Sequence, residues 1–80
     1  MDEQLRQRIF IDPKVMVGKP VIRGTRIPVE LIVRMLGQGI SERDILREYP
    51  HLQPEDIRAA LVYASQVLAN EDVFLLAASL

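Results

Sequence analysis

The stretch Pro28-Val29-Glu30-Leu31-Ile32-Val33-Arg34-Met35-Leu36-Gly37-Gln38-Gly39-Ile40-Ser41 decides the reading of this chain. Val29, Ile32, Val33 and Leu36 fall at i, i+3, i+4 and i+7, the stripe of an amphipathic helix. A proline suits a first helical position, where an N–H has no intrahelical partner, and Gly37 and Gly39 supply the stop. The spacing therefore predicts a helix over roughly residues 28–38. Gly39-Ile40-Ser41 is a tight connection, with Ser41 as N-cap and Asp44 three residues on, the spacing of a capping box. A second helix runs to about Glu48 and turns Ile45, Leu46 and Tyr49 inward.

Downstream, Pro50-His51-Leu52-Gln53 breaks the second helix, and Pro54 opens a third whose positive end is complemented by Glu55 and Asp56. Ile57, Ala60, Leu61, Ala64 and Leu68 form its inward stripe, which ends near Asn70. Val62, Tyr63 and Val67 lie off that stripe, so this helix is apolar over more than one face, and these three are candidate dimer contacts. Glu71 and Asp72 set off an apolar tail, Val73-Phe74-Leu75-Leu76-Ala77-Ala78. Two readings of it stay open: Val73, Phe74, Leu75 and Leu76 dock in a groove on a partner, or the tail folds back over its own core.

Upstream of Pro28 the period shortens. Residues 1–8 are polar and read as frayed. Ile9-Phe10-Ile11 is a short strand stopped by Asp12-Pro13, and Val21-Ile22-Arg23 is a second, set between Gly18/Pro20 and Gly24/Thr25. Pro20 cannot donate to a ladder, which argues for an edge or two-stranded ribbon. Such a ribbon is marginal alone in water and must pack on the helices or pair with a copy of itself. The organisation expected is one domain: a frayed 1–8, a β-ribbon over 9–27, three helices over 28–70 and the tail 71–80. The fold class is mainly α. Three helices joined by a short glycine-containing turn and a longer one suit the helix-turn-helix class, and a plain three-helix bundle has the same pattern.

Composition narrows the function. Apolar residues make up 49 % of the 80, generous for so thin a core, and this points to surface meant for a partner, a homodimer included. The lack of cysteine excludes disulfides, thiolate metal sites and thiol catalysis. His51 stands alone, without metal-ligand spacing around it and without a Ser or clustered carboxylates to make it a general base, so it reads as a loop residue. The charged start Met1-Asp2-Glu3-Gln4-Leu5-Arg6 is unlike a signal peptide, and no apolar run is long enough to span a membrane; a cytoplasmic protein is expected. Net charge is −1, with seven Lys/Arg against four Asp/Glu in residues 1–34 and three against seven in residues 35–80. A basic front and an acidic back let one domain serve two partners, although scatter over a solvated surface gives the same sums.

Ile11-Asp12-Pro13, the string Gly18-Lys19-Pro20-Val21-Ile22-Arg23-Gly24-Thr25-Arg26-Ile27-Pro28-Val29, Gly39-Ile40-Ser41, Tyr49-Pro50-His51-Leu52 and Pro54-Glu55-Asp56-Ile57-Arg58-Ala59-Ala60-Leu61 together resemble a bacterial family, domain of unknown function 433. The likeness covers roughly residues 9–65. It implies a homeodomain-like three-helix fold preceded by a β-ribbon. It also implies the antitoxin of a toxin–antitoxin pair, whose usual partner is a PIN-like ribonuclease toxin.

Six residues are candidate contacts to double-stranded promoter DNA: Lys19, Arg23, Thr25, Arg26, Arg43 and Arg58. Lys19, Arg23 and Arg26 surround Gly18 and Gly24, where bare backbone lets a phosphate approach, and Thr25 adds a hydroxyl donor. The competing reading has Gly24-Thr25 making a turn and the arginines pairing with Asp12 or Glu30. Arg43 stands near the start of the second helix and Arg58 in the opening turns of the third, where a recognition helix touches bases. Glu55 and Asp56 would oppose phosphates there, which leaves dimer packing as the alternative role of that helix. The string around Lys19 lacks P-loop spacing, and no constellation points to an enzyme, a cofactor or a metal.

Overall fold

A computed structural model of the chain describes residues 2–14 and 16–70. The order is α1 (Glu3–Arg6), β1 (Ile9–Phe10), a 3-10 turn (Met16–Gly18), β2 (Val21–Ile22), α2 (Val29–Gly37), α3 (Glu42–Glu48) and α4 (Pro54–Ala69). This is a mainly helical small domain of four helices with a two-stranded antiparallel ribbon. Among the described residues no helix is long and apolar enough to cross a membrane. The apolar tail 71–80, with Val73, Phe74, Leu75 and Leu76, lies outside the described residues.

The N-terminus corrects the expectation of a frayed end. Asp2 accepts a hydrogen bond from Gln4 N–H at 2.8 Å, capping one helical turn, and half-buried Leu5 packs that turn on the core. A single turn is unstable alone. Its packing against α4 holds it, and a local polarity pattern does not contain that contact.

The ribbon pairs Ile9 with Ile22 and Phe10 with Val21. On its other side β2 is met by the chain returning toward α2, through a bridge between Val21 and Pro28 and a bond from Ile22 N–H to the Ile27 carbonyl at 3.0 Å. Pro20 thus adds only a carbonyl, which accepts from Val29 N–H at 2.9 Å and satisfies one of the free donors at the start of α2. Pro28 is consequently the extended N-cap of α2 and not its first helical residue. The turn between ribbon and helix needs Gly24 (φ +81°) at the third position of a four-residue bend closed by Thr25 N–H on the Ile22 carbonyl.

Ile22, Ile32, Ile45 and Ile57 are the fully buried centre, one each from β2, α2, α3 and α4. Each contributes about 1.5–3 kcal/mol of burial. The face of α2 is turned slightly from the expected stripe: Val29, Ile32 and Met35 are buried, while Val33 and Leu36 are half-buried. In α3, Ile45 is buried with Leu46 and Tyr49 beside it, as the spacing predicts, and Ser41 Oγ accepts from Asp44 N–H at 3.1 Å.

The inward face of α4 is rotated further. Asp56, Ile57, Ala59 and Ala60 are buried, whereas Leu61 and Leu68 of the expected stripe are exposed by 45 % and 62 %. Ala59 and Ala60 are fully buried, and α2, α1 and β1 all pack on α4. The two leucines of α4 therefore do not mark its core face, which Ile57 and the small alanines form.

Asp56 is the one charged residue in the described core. Its Oδ1 accepts from Arg8 Nη1 at 2.9 Å and its Oδ2 from the backbone N–H of Gln53 at 2.9 Å. It joins the start of the ribbon to the start of α4 and caps that helix. Asp56→Ala is expected to cost about 2 kcal/mol, combining a lost cap with a part-buried ion pair. Urea denaturation of Arg8→Ala, Asp56→Ala and the double variant should give a coupling of about 1 kcal/mol or more. A coupling near zero would show that solvent screens the pair.

Candidate nucleic-acid interface

The turn after β2 is self-contained. Thr25 Oγ donates to the Ile22 carbonyl at 2.7 Å and accepts from Ile27 N–H at 3.0 Å, so its proton is used inside the turn and is not offered to a ligand. Arg23 is also tied down: its Nε donates to the Gln7 carbonyl, and its guanidinium lies over the Phe10 ring, 5.1 Å from the centroid. Arg26 stands at the end of the turn and, like Arg23, is exposed.

Two adjoining concavities meet at this turn. The larger is an open groove between α1 and the beginning of α4, with Arg8, Arg23, His51 and Arg58 on its walls and Asp2, Glu55 and Asp56 among them. The smaller runs along Arg23, Gly24, Thr25, Arg26 and Ile27 to His51. Arg23 and His51 belong to both, so the two form one surface. No side chain crowds Gly24, where a Cβ would meet nothing within 4 Å. A ligand can reach that backbone closely.

The six candidate DNA contacts thus divide. Arg23, Arg26 and Arg58 share this surface, and Thr25 shapes it. Lys19 pairs with Glu30 at 3.5 Å, and Glu30 also takes Arg34 at 3.2 Å. Arg43 is exposed at the start of α3 and lines neither concavity. The competing reading is right that Gly24-Thr25 makes a turn, but the ion pairs it expected for Arg23 and Arg26 are not formed among the described residues: Glu30 engages Lys19 and Arg34, and Asp12 turns back on its own chain and accepts from Lys14 N–H at 2.8 Å.

Two residues of this surface carry no signal in the sequence. Arg8 sits in a polar leader and meets Asp56 across 48 positions, a separation that no local pattern spans. His51 shows no chemistry through its neighbours in sequence and gains its place only through the fold.

The candidate dimer residues fall differently. Tyr63 is half-buried against the core, Val62 is half-buried, and Val67 is exposed by 44 %. Val67 lines a separate groove between α1 and the last turns of α4, with Ile11 across from it.

Comparison with known proteins agrees with the fold. Over residues 9–64 the sequence matches the model of the family described as "Protein of unknown function (DUF433)". It is 37 % identical over 59 residues to the uncharacterized protein y4eO of Sinorhizobium fredii, covering 74 % of this chain and 27 % of that one. A short uncharacterized protein of Archaeoglobus fulgidus is 66 % identical over 29 residues, 36 % of this chain and 81 % of its own. A crystal structure of a DUF433 member from Anabaena variabilis superimposes with a TM-score of 0.73 at 41 % identity, covering 80 % of this chain and 63 % of that one. The chain thus spans about a quarter of the rhizobial protein and under two thirds of the Anabaena one. With the family match running from the first strand through most of α4, and a solved member sharing the fold, the chain belongs to the DUF433 family.

Proposed function

We propose that this protein is a non-catalytic, DNA- and partner-binding module of the antitoxin type. It acts in the cytoplasm as a homodimer, binds its own promoter and neutralises a PIN-like ribonuclease toxin. The observation that carries the DNA part is the convergence of Arg23, Arg26, His51 and Arg58 on one surface around an uncrowded glycine turn. On this reading α2, α3 and α4 act as a helix-turn-helix unit. Arg58 approaches the DNA from the opening turns of α4, and Arg26 and the Gly24 backbone take a phosphate beside it. The toxin part rests on what the sequence resemblance implies and on two of the apolar residues that α4 leaves exposed, Leu61 and Leu68.

A second reading, an interaction module without DNA activity, is favoured by the carboxylates Asp2 and Glu55 in the same groove. Gel shifts on the upstream promoter fragment separate the two. Binding is expected at low salt, and a two-fold operator should show half-sites about 10 bp apart or a multiple of that. Arg26→Ala and Arg58→Ala should each weaken binding and flatten the salt dependence by about one contact. Absence of binding at low salt, with and without the partner, would reject the DNA claim. For the toxin, the product of the neighbouring gene should co-purify with the N-terminally tagged protein; purification of the tagged protein alone would count against it.

The arginines of the turn also separate by stability. Arg23→Ala should cost about 1 kcal/mol through its carbonyl bond and ring contact, a fall in Tm of roughly 4–8 °C for a domain of this size. Arg26→Ala should leave the thermal midpoint within about 2–3 °C of the parent, as is usual for exposed positions. Equal losses would mean that Arg26 too is part of the scaffold.

A further inference from the structure

The groove between α1 and the C-terminal half of α4 is lined in part by apolar residues, Ile11 and Val67, exposed by 53 % and 44 %, with buried Ile9 and half-buried Tyr63. Its margins carry one acid, Glu3, one base, Arg6, and two amides, Gln66 and Asn70. A two-fold contact sets a patch against itself, so every charge in the patch must find its opposite in the same patch. This one satisfies that condition. Glu3 and Arg6 cancel, and each can meet the other's counterpart across the axis. The amides both donate and accept, so they can pair with their own copies.

A polyanion finds a neutral patch here with an acid on its rim, and a strongly charged partner finds no excess charge to answer. From these features we infer that the groove is the homodimer interface. A second copy of the chain seats Ile11 and Val67 against the same residues of the first, with Glu3 of each protomer facing Arg6 of its partner. This rests on the dimeric part of the function proposed above and moves the contact from the Val62 side of α4 to the α1 side. Of the candidate dimer residues it keeps Val67 at the centre and Tyr63 as the floor.

The test is a charge exchange in the full-length chain, read by sedimentation velocity. The parent should sediment as a dimer. Glu3→Arg and Arg6→Glu, both at exposed positions, should each weaken self-association about tenfold, because the symmetry repeats every like-charge contact twice. Mixing the two variants should restore a dimer containing one of each, since every repulsive contact then becomes an attractive one. Val67→Glu should also give monomers, with circular dichroism reporting an intact fold. A parent dimer that ignores all three substitutions would overturn this interface while leaving a dimeric protein. A monomeric parent would overturn both, as expected if another segment covers the groove. The gel-shift behaviour of Arg26→Ala and Arg58→Ala reports on the DNA claim independently of either result.

Discussion

The carboxylate of Asp56 fixes the arrangement on which the rest depends. A buried charge is tolerated only when its lone pairs are engaged. Here one oxygen holds the first turn of α4 through Gln53 N–H, and the other holds Arg8 at the edge of the ribbon. That sets how α1, β1 and α4 meet. It also accounts for the position of Arg23, one residue past Ile22, the strand partner of Ile9. From there its guanidinium reaches the Gln7 carbonyl and the Phe10 ring. Two of the cations on this surface, Arg8 and Arg23, are therefore engaged within the scaffold, although Arg23 is exposed, as Arg26 and Arg58 are.

The same joint gives α4 two unlike ends. Its 16 residues rise about 24 Å. The N-terminal segment and α2 pack on this helix, and its first turns face the groove where three arginines stand among three carboxylates. Beyond Ala64 every described residue is exposed, Val67 and Leu68 included. The four-residue helix α1 lies between, with Gln4, Leu5 and Gln7 toward one groove and Glu3 and Arg6 toward the other. One short helix thus separates a surface rich in charge from one that mixes apolar and polar residues.

Much of this was legible in the sequence. The three main helices, their proline and serine starts and the two short strands follow from spacing and capping chemistry, within a residue or two of their observed ends. The rotation of α4 was not legible. The periodic stripe holds Ile57 and Ala60, which are buried, but it also takes in Leu61 and Leu68, which are exposed, and it passes over Ala59, which is fully buried. The capped turn at Glu3–Arg6 was hidden for a related reason, since its stability comes from residues some fifty positions away. Of the candidate contacts, the Gly24-Thr25 turn was readable as such. Only three-dimensional packing separates Arg23, held by the ring of Phe10, from Arg26.

Net charge is a poor guide to what such a molecule binds. Exposed charges more than a Debye length apart, about 8–10 Å at ordinary ionic strength, act nearly independently. Much of the acidity of residues 35–80 lies outside the cationic surface: Glu42, Asp44 and Glu48 belong to α3, which contributes nothing to the walls of either adjoining concavity. Glu55 is different, because it stands in the groove with Arg58. A phosphate drawn to Arg58 alone meets that carboxylate, whereas one lying over Gly24 has Arg23, Arg26 and His51 along the smaller concavity. The charge pattern therefore directs a polyanion toward the ribbon turn and away from the tip of α4. On the reading proposed above, the turn would anchor the backbone of a nucleic acid, and Arg58, in the groove with Glu55, would discriminate.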